Sequence, residues 1–120
     1  MQIEALKALV IESLDDIKAK DVEVLDVSRL TSVTDWMVVA SGTSTRHVAA
    51  LANSVITNAK EQGVQPLGVE GDNGADWVLV DLGSVVVHVM MPDTRALYDL
   101  ERLWSDLPSD SPAPEEEAKA

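Results

Sequence analysis

Leu67-Gly-Val-Glu-Gly-Asp-Asn-Gly-Ala-Asp-Trp-Val-Leu-Val-Asp-Leu-Gly-Ser-Val-Val-Val-His-Val-Met-Met91 carries the densest β signal in the chain. Residues 77–82 and 85–91 read as two strands of a hairpin that turns at Gly83-Ser84. Residues 67–69 read as a short strand ahead of it, and residues 71–76 as a Gly/Asn/Asp loop. By the strand period of two, His88 shares a face with Val86 and Met90, and Trp77 with Leu79. Glu70, Asp76, Trp77 and His88 sit poorly in a plain apolar core and need another explanation.

Working outward, residues 1–20 predict an amphipathic helix, with Ile3, Leu6, Val10, Leu14 and Ile17 on one face. Residues 21–27 alternate β-branched and acidic positions and predict a strand. Residues 28–35 are a polar connection. Residues 36–40 (Trp-Met-Val-Val-Ala) form a continuous apolar run that suits a strand buried on both faces. The hydroxyls of Ser41-Gly42-Thr43-Ser44-Thr45 can cap a helix reaching about residue 62, whose apolar face is Val48, Leu51, Ala52, Val55, Ile56 and Ala59. Gly63 suits the position after that helix, and Pro66 prevents its continuation. Beyond the hairpin, Pro92-Asp93-Thr94 opens a last helix. Asp93 is its candidate cap, Leu97, Leu100, Leu103 and Trp104 its stripe, and Tyr98 lies beside that stripe.

This order predicts one α/β domain over residues 1–104, a mixed sheet of about five strands flanked by helices. Residues 105–120 interleave Pro, Ser, Ala and acids, and predict a disordered tail. The order of the strands is left open.

The formal charge is −12, of which residues 105–120 hold five acids and one base, leaving −8 on the domain. An acidic body lacks the cationic stripe that neutralises phosphates, which disfavours direct nucleic-acid binding and is compatible with a basic protein partner. There are no cysteines, so disulfides and thiolate metal sites are excluded. No apolar run approaches the roughly 20 residues of a membrane span, and residues 1–14 lack a signal-peptide core. The expectation is a cytoplasmic protein.

Each chemical reading competes with a plainer one. Ser41 to Ser44 precede a helix N-terminus, where an anion could bind, but the P-loop Lys and glycine spacing is missing, so capping is favoured. His47 and His88 are the only histidines, too few for a metal cluster. As a general base, His88 would have only Ser84 as a nearby hydroxyl, a poor match. Asp72, Asp76 and Asp81 lie where turns explain them, though with Glu70 they are the available oxygen ligands for Mg²⁺. Trp36 and Trp104 read as core. For Trp77 and Tyr98 core packing and partner contact both stay open.

Thr34-Asp35-Trp36-Met37, Ser41-Gly42-Thr43-Ser44-Thr45-Arg46-His47-Val48, Pro66 to Gly71, Ala75 to Gly83, Val86 to Met90 and Tyr98 to Trp104 occur in this order. Together they resemble the ribosomal silencing factor family, RsfS or Iojap, from about Ile3 to Trp104. The resemblance implies a nucleotidyltransferase-like fold without that activity. The Gly-Ser step and paired acids of such enzymes are not matched, Ser41-Gly42 being reversed with no Asp-x-Asp after it. It implies no catalytic residue, cofactor or metal. It implies a translational repressor that binds the large ribosomal subunit through its fourteenth protein (uL14 type), with rRNA contact minor at most. Such a factor blocks small-subunit joining in stationary phase or nutrient limitation, and is a homodimer when free. On this reading the partner-binding residues are Glu70, Asp76, Trp77, Leu79, His88, Met90 and Tyr98. The alternatives are a large-subunit assembly factor and, further off, a metal-dependent nucleotidyltransferase using Ser44 and the acids near Asp72.

Overall fold

The computed structural model describes residues 2–32, 34–71 and 75–98, with Leu97 and Tyr98 by backbone alone. Helix α1 spans Ile3–Asp16, β1 Lys20–Asp26, β2 Trp36–Ser41, α2 Thr45–Glu61, β3 Gly68–Glu70, β4 Trp77–Asp81, β5 Val85–Met90 and α3 Pro92–Tyr98. The strands make one mixed sheet in the order β1-β2-β5-β4-β3. Only β2 and β5 are parallel, and the other pairs are antiparallel. The hairpin of β4 and β5 closes where Leu82 N–H donates to the Val85 carbonyl at 2.9 Å and Gly83 N–H to Asp81 Oδ1 at 2.9 Å. Asp81 is thus a turn residue.

The two longer helices close with the same bonds but with different residues in the left-handed position. Helix α2 begins with Ser44, whose Oγ accepts from His47 N–H at 3.1 Å. It closes with Gly63 N–H on the Lys60 carbonyl and Val64 N–H on the Ala59 carbonyl, both at 2.9 Å. Gly63 takes φ +82 there at little cost. Helix α1 closes by the same bond pattern, with Lys18 donating to Asp15 and Ala19 to Leu14. Here Lys18 holds the left-handed position, at φ 63. His47 ties the two helices: Nδ1 accepts from Thr43 N–H at 2.8 Å, and Nε2 lies 2.7 Å from the Ile17 carbonyl, to which it donates. Histidine 47 therefore serves the helix ends. Helix α3 begins at Pro92 and not after Asp93, since proline's missing N–H is no loss in a first turn. Asp93 sits in that turn, where the helix dipole favours its charge.

The sheet has two unlike faces. On one, Val38, Ala40, Val78, Val80, Val85, Val87 and Val89 meet Leu6, Val10 and Leu14 of α1 and Val48, Leu51, Ala52, Val55 and Ala59 of α2. Each fully buried side chain of this kind is worth roughly 1.5–3 kcal/mol. Ile3, the first residue of α1, remains 39% exposed. A polar clasp joins α1 to α2. Asn58 Nδ2 donates to Ser13 Oγ at 2.8 Å, Ser54 Oγ to the Ser13 carbonyl at 3.0 Å, and Ser13 Oγ to Leu9 at 2.7 Å. Trp36 is half-buried beside this core, with Lys7 Nζ 3.8 Å from its ring centre. The second face buries a smaller cluster of Val27, Met37, Val39 and Met90, with Leu25 and Trp77 packed against it. The side chain of Leu97, the rest of the stripe expected through Trp104 and the tail 105–120 lie outside the described residues.

Candidate functional site: the second sheet face

Strand register decides which residues meet. Glu70 pairs with Leu79, Leu79 with His88, His88 with Val39, and Val39 with Glu23. Directly opposed residues point to the same face, so this is one row across all five strands. In the next row Trp77 pairs with Met90, and Met90 with Ser41. Glu70, Trp77, Leu79, His88 and Met90 therefore lie on one face, away from α1 and α2. Asp76 precedes Trp77 at the end of β4. Its carbonyl accepts from Met91 N–H at 2.8 Å, and its side chain is exposed.

These residues do not all offer surface. Glu70 and Asp76 are exposed, and Trp77 and Leu79 half-buried. His88 is 7% exposed and Met90 not at all. In this conformation the accessible part is an apolar centre, Trp77 and Leu79, with the exposed Glu70 opposite Leu79; Asp76 is exposed at the strand end, one residue out of phase with Trp77. Met90 and His88 lie beneath the apolar centre. Tyr98 belongs to α3, which starts next to the Met90 end of β5, but its side chain lies outside the described residues.

Below the patch, the Trp77 indole Nε1–H donates to His88 Nδ1 at 3.0 Å, with ring centroids 5.7 Å apart and planes tilted by 47°. An indole N–H can only donate, so Nδ1 accepts and the imidazole proton sits on Nε2. Burial pushes the His88 pKa down to about 4, so the ring is neutral near pH 7. Two residues that sequence patterning did not single out also shape this face. Arg95 of α3 is buried and donates from Nη1 to Ser41 Oγ at 2.9 Å, pinning α3 to the last residue of β2. The period of two from Met37 through Val39 would have placed Ser41 here, while the capping role fell to Ser44. Gly71 is the second. A Cβ on it would lie 2.5 Å from the Trp77 carbonyl oxygen, so only glycine lets the loop pass this close to Trp77. Among the described residues, no three His, Cys, Asp or Glu side chains cluster as metal ligands would. Nor is any helix long and apolar enough to cross a membrane.

The family model described as "Ribosomal silencing factor during starvation", RsfS, matches residues 1–120. The chain belongs to the RsfS family. A Chromobacterium violaceum protein named Ribosomal silencing factor RsfS is 54% identical over 104 residues, covering 87% of this chain and 85% of that one. The Haemophilus influenzae protein of the same name is 45% identical, over 84% of this chain and 99% of its own. A mouse protein named Mitochondrial assembly of ribosomal large subunit protein 1 is 39% identical over 72% of this chain and 40% of its own. A crystal structure of a Chromobacterium violaceum protein superposes with TM-score 0.85 at 48% identity, covering 93% of this chain and 98% of that one. One from Bacillus halodurans gives 0.77 at 40% identity, covering 84% and 94%. These RsfS-like structures bear out the single α/β domain with a five-stranded mixed sheet.

Proposed function

We propose that this protein is a cytoplasmic translational repressor that binds the large ribosomal subunit through its fourteenth protein and keeps the small subunit from joining. Membership of the RsfS family supports a ribosomal role. The observation that carries the docking site is the second sheet face, where Trp77 and Leu79 form an apolar centre with the exposed Glu70 opposite Leu79. A half-buried Trp with an exposed carboxylate nearby on an acidic chain is suited to a basic protein surface: the ring supplies the anchor, and Glu70 and the net negative charge steer the approach. The net charge of −12 works against rRNA as the main contact. On this reading the protein acts by occupying space, without turnover, and pairs with a second copy when free.

Two measurements test the reading. Truncating a central interface aromatic costs ~2 kcal/mol, roughly thirtyfold in affinity. Folded Trp77→Ala is therefore expected to bind the purified ribosomal protein about thirtyfold more weakly in calorimetry. Equal binding by the two proteins removes this face as the site. In sucrose-gradient sedimentation, added wild-type protein is expected to shift joined ribosomes toward free subunits. The mouse relative's name favours a second reading, an assembly role on an immature large subunit. Joined ribosomes left intact while precursor subunits take up the protein would decide for that reading.

A further inference from the structure

His88 has almost no surface of its own to offer a partner, at 7% exposed. It does have one strong relation to a residue that does, the 3.0 Å hydrogen bond from the Trp77 indole. Trp77 is held on other sides too. Fully buried Met90 lies directly across from it on β5, and Gly71 passes close to its backbone. Packing fixes where the indole sits, but an indole can still rotate about its bond to Cβ. A directional bond at Nε1 removes that freedom. It also turns the ring's only donor inward, so that what faces outward is apolar.

We infer that His88 is a positioning residue of the docking face: its Nδ1 accepts the Trp77 indole N–H and presets the ring in the orientation that receives a partner. This rests on the docking reading above. The gain is pre-organisation, since a side chain already ordered loses less entropy when the partner arrives. A neutral imidazole suits the task, because a protonated Nδ1 could not accept. Burial keeps His88 neutral near pH 7, so the bond is a fixed strut and does not switch under ordinary conditions.

The test uses the full chain at pH 7.5 with the purified fourteenth large-subunit protein, together with the Trp77 indole resonance in nitrogen-edited NMR, assigned by loss in Trp77→Phe. His88→Leu removes the acceptor. His88→Asn keeps an acceptor atom near the place of Nδ1. Wild type is expected to show an indole proton protected from exchange, and His88→Leu to lose that protection and bind about tenfold more weakly, the loss expected for one hydrogen bond. His88→Asn is expected to recover most of the affinity. In Trp77→Phe, which has no donor, adding His88→Leu should cost little more. A purely structural role predicts otherwise: the losses would add, and Asn would not rescue. Those results, or an indole signal unchanged in His88→Leu, overturn the inference. If wild type binds and folded His88→Leu binds equally well, only this inference falls. If wild type itself does not bind, the docking reading falls and takes this one with it.

Discussion

His88 links stability to pH at the scale of one residue. Its pKa is about 4 in the folded chain against an ordinary 6.5. Between those values the unfolded chain binds a proton that the folded one refuses. The stabilisation is complete above pH 6.5 and is lost as pH falls toward 4, by about 1.4 kcal/mol per unit at most. Urea unfolding should therefore show wild type losing about 1 kcal/mol more than His88→Asn between pH 7.5 and 5.5. Parallel pH dependence in the two proteins would show that His88 is not buried as a neutral ring. The Asp26 pKa is lowered too, but there the charged form is the favoured one: hydrogen bonds from the Ser28 hydroxyl and backbone N–H hold its carboxyl below the usual range. The sequence marked His88 as out of place. It did not show that the neighbour explaining it is Trp77, because that pairing spans two strands.

Among the elements, α1 and α2 make a natural experiment in helix termination. Both close with the same hydrogen bonds, but one uses Gly63 and the other Lys18 in the left-handed position. A Cβ in that region costs roughly 1 kcal/mol, which glycine avoids. Lys18→Gly should stabilise the fold by about 0.5–1 kcal/mol, visible as a higher melting temperature, and Gly63→Ala should destabilise it by a similar amount. A Lys18→Gly protein that melts lower would mean the Lys side chain contributes more than its backbone strain costs. The two sheet edges also differ. Along β1, Lys20, Asp21, Glu23 and Asp26 are exposed, and the register shifts between Lys20 and Glu23 near Asp21 at φ 50. Charges and an irregularity of this kind discourage pairing with another strand. Edge strand β3 is only Gly68–Glu70, and is protected by brevity. Helix positions, their apolar faces and Gly63 were legible because a period of 3.6 and a C-terminal glycine are local signals. Lys18 was not, since nothing in its chemistry announces a positive φ.

For the whole molecule, the consequence is one face packed under α1 and α2 and a second that buries a smaller cluster and stays accessible in part. Helices α1 and α2 cover the same side, so Glu70, Trp77, Leu79, His88 and Met90 fall together on the other. An acidic chain meeting a basic partner gains from long-range attraction. On the proposed docking reading, raising salt from 0.05 to 0.5 M is expected to slow association with the ribosomal protein several-fold while changing dissociation less. A salt-independent association rate would argue against electrostatic steering.

The chain by itself determined element types, their order, the turn at Gly83-Ser84 and the family resemblance, because these rest on local periodicity, turn chemistry and matched motifs. Only the tertiary structure decided the order β1-β2-β5-β4-β3, because pairing between strands far apart in sequence leaves no mark on either strand alone. That order carries the candidate site. It sets Glu70 beside Leu79 and Val39 beside His88, and it buries His88 and Met90 while leaving part of Trp77 in reach. Period-two alternation told which side chains in a strand share a face. Which face the helices cover depends on how the chain crosses over, and that is fixed by packing.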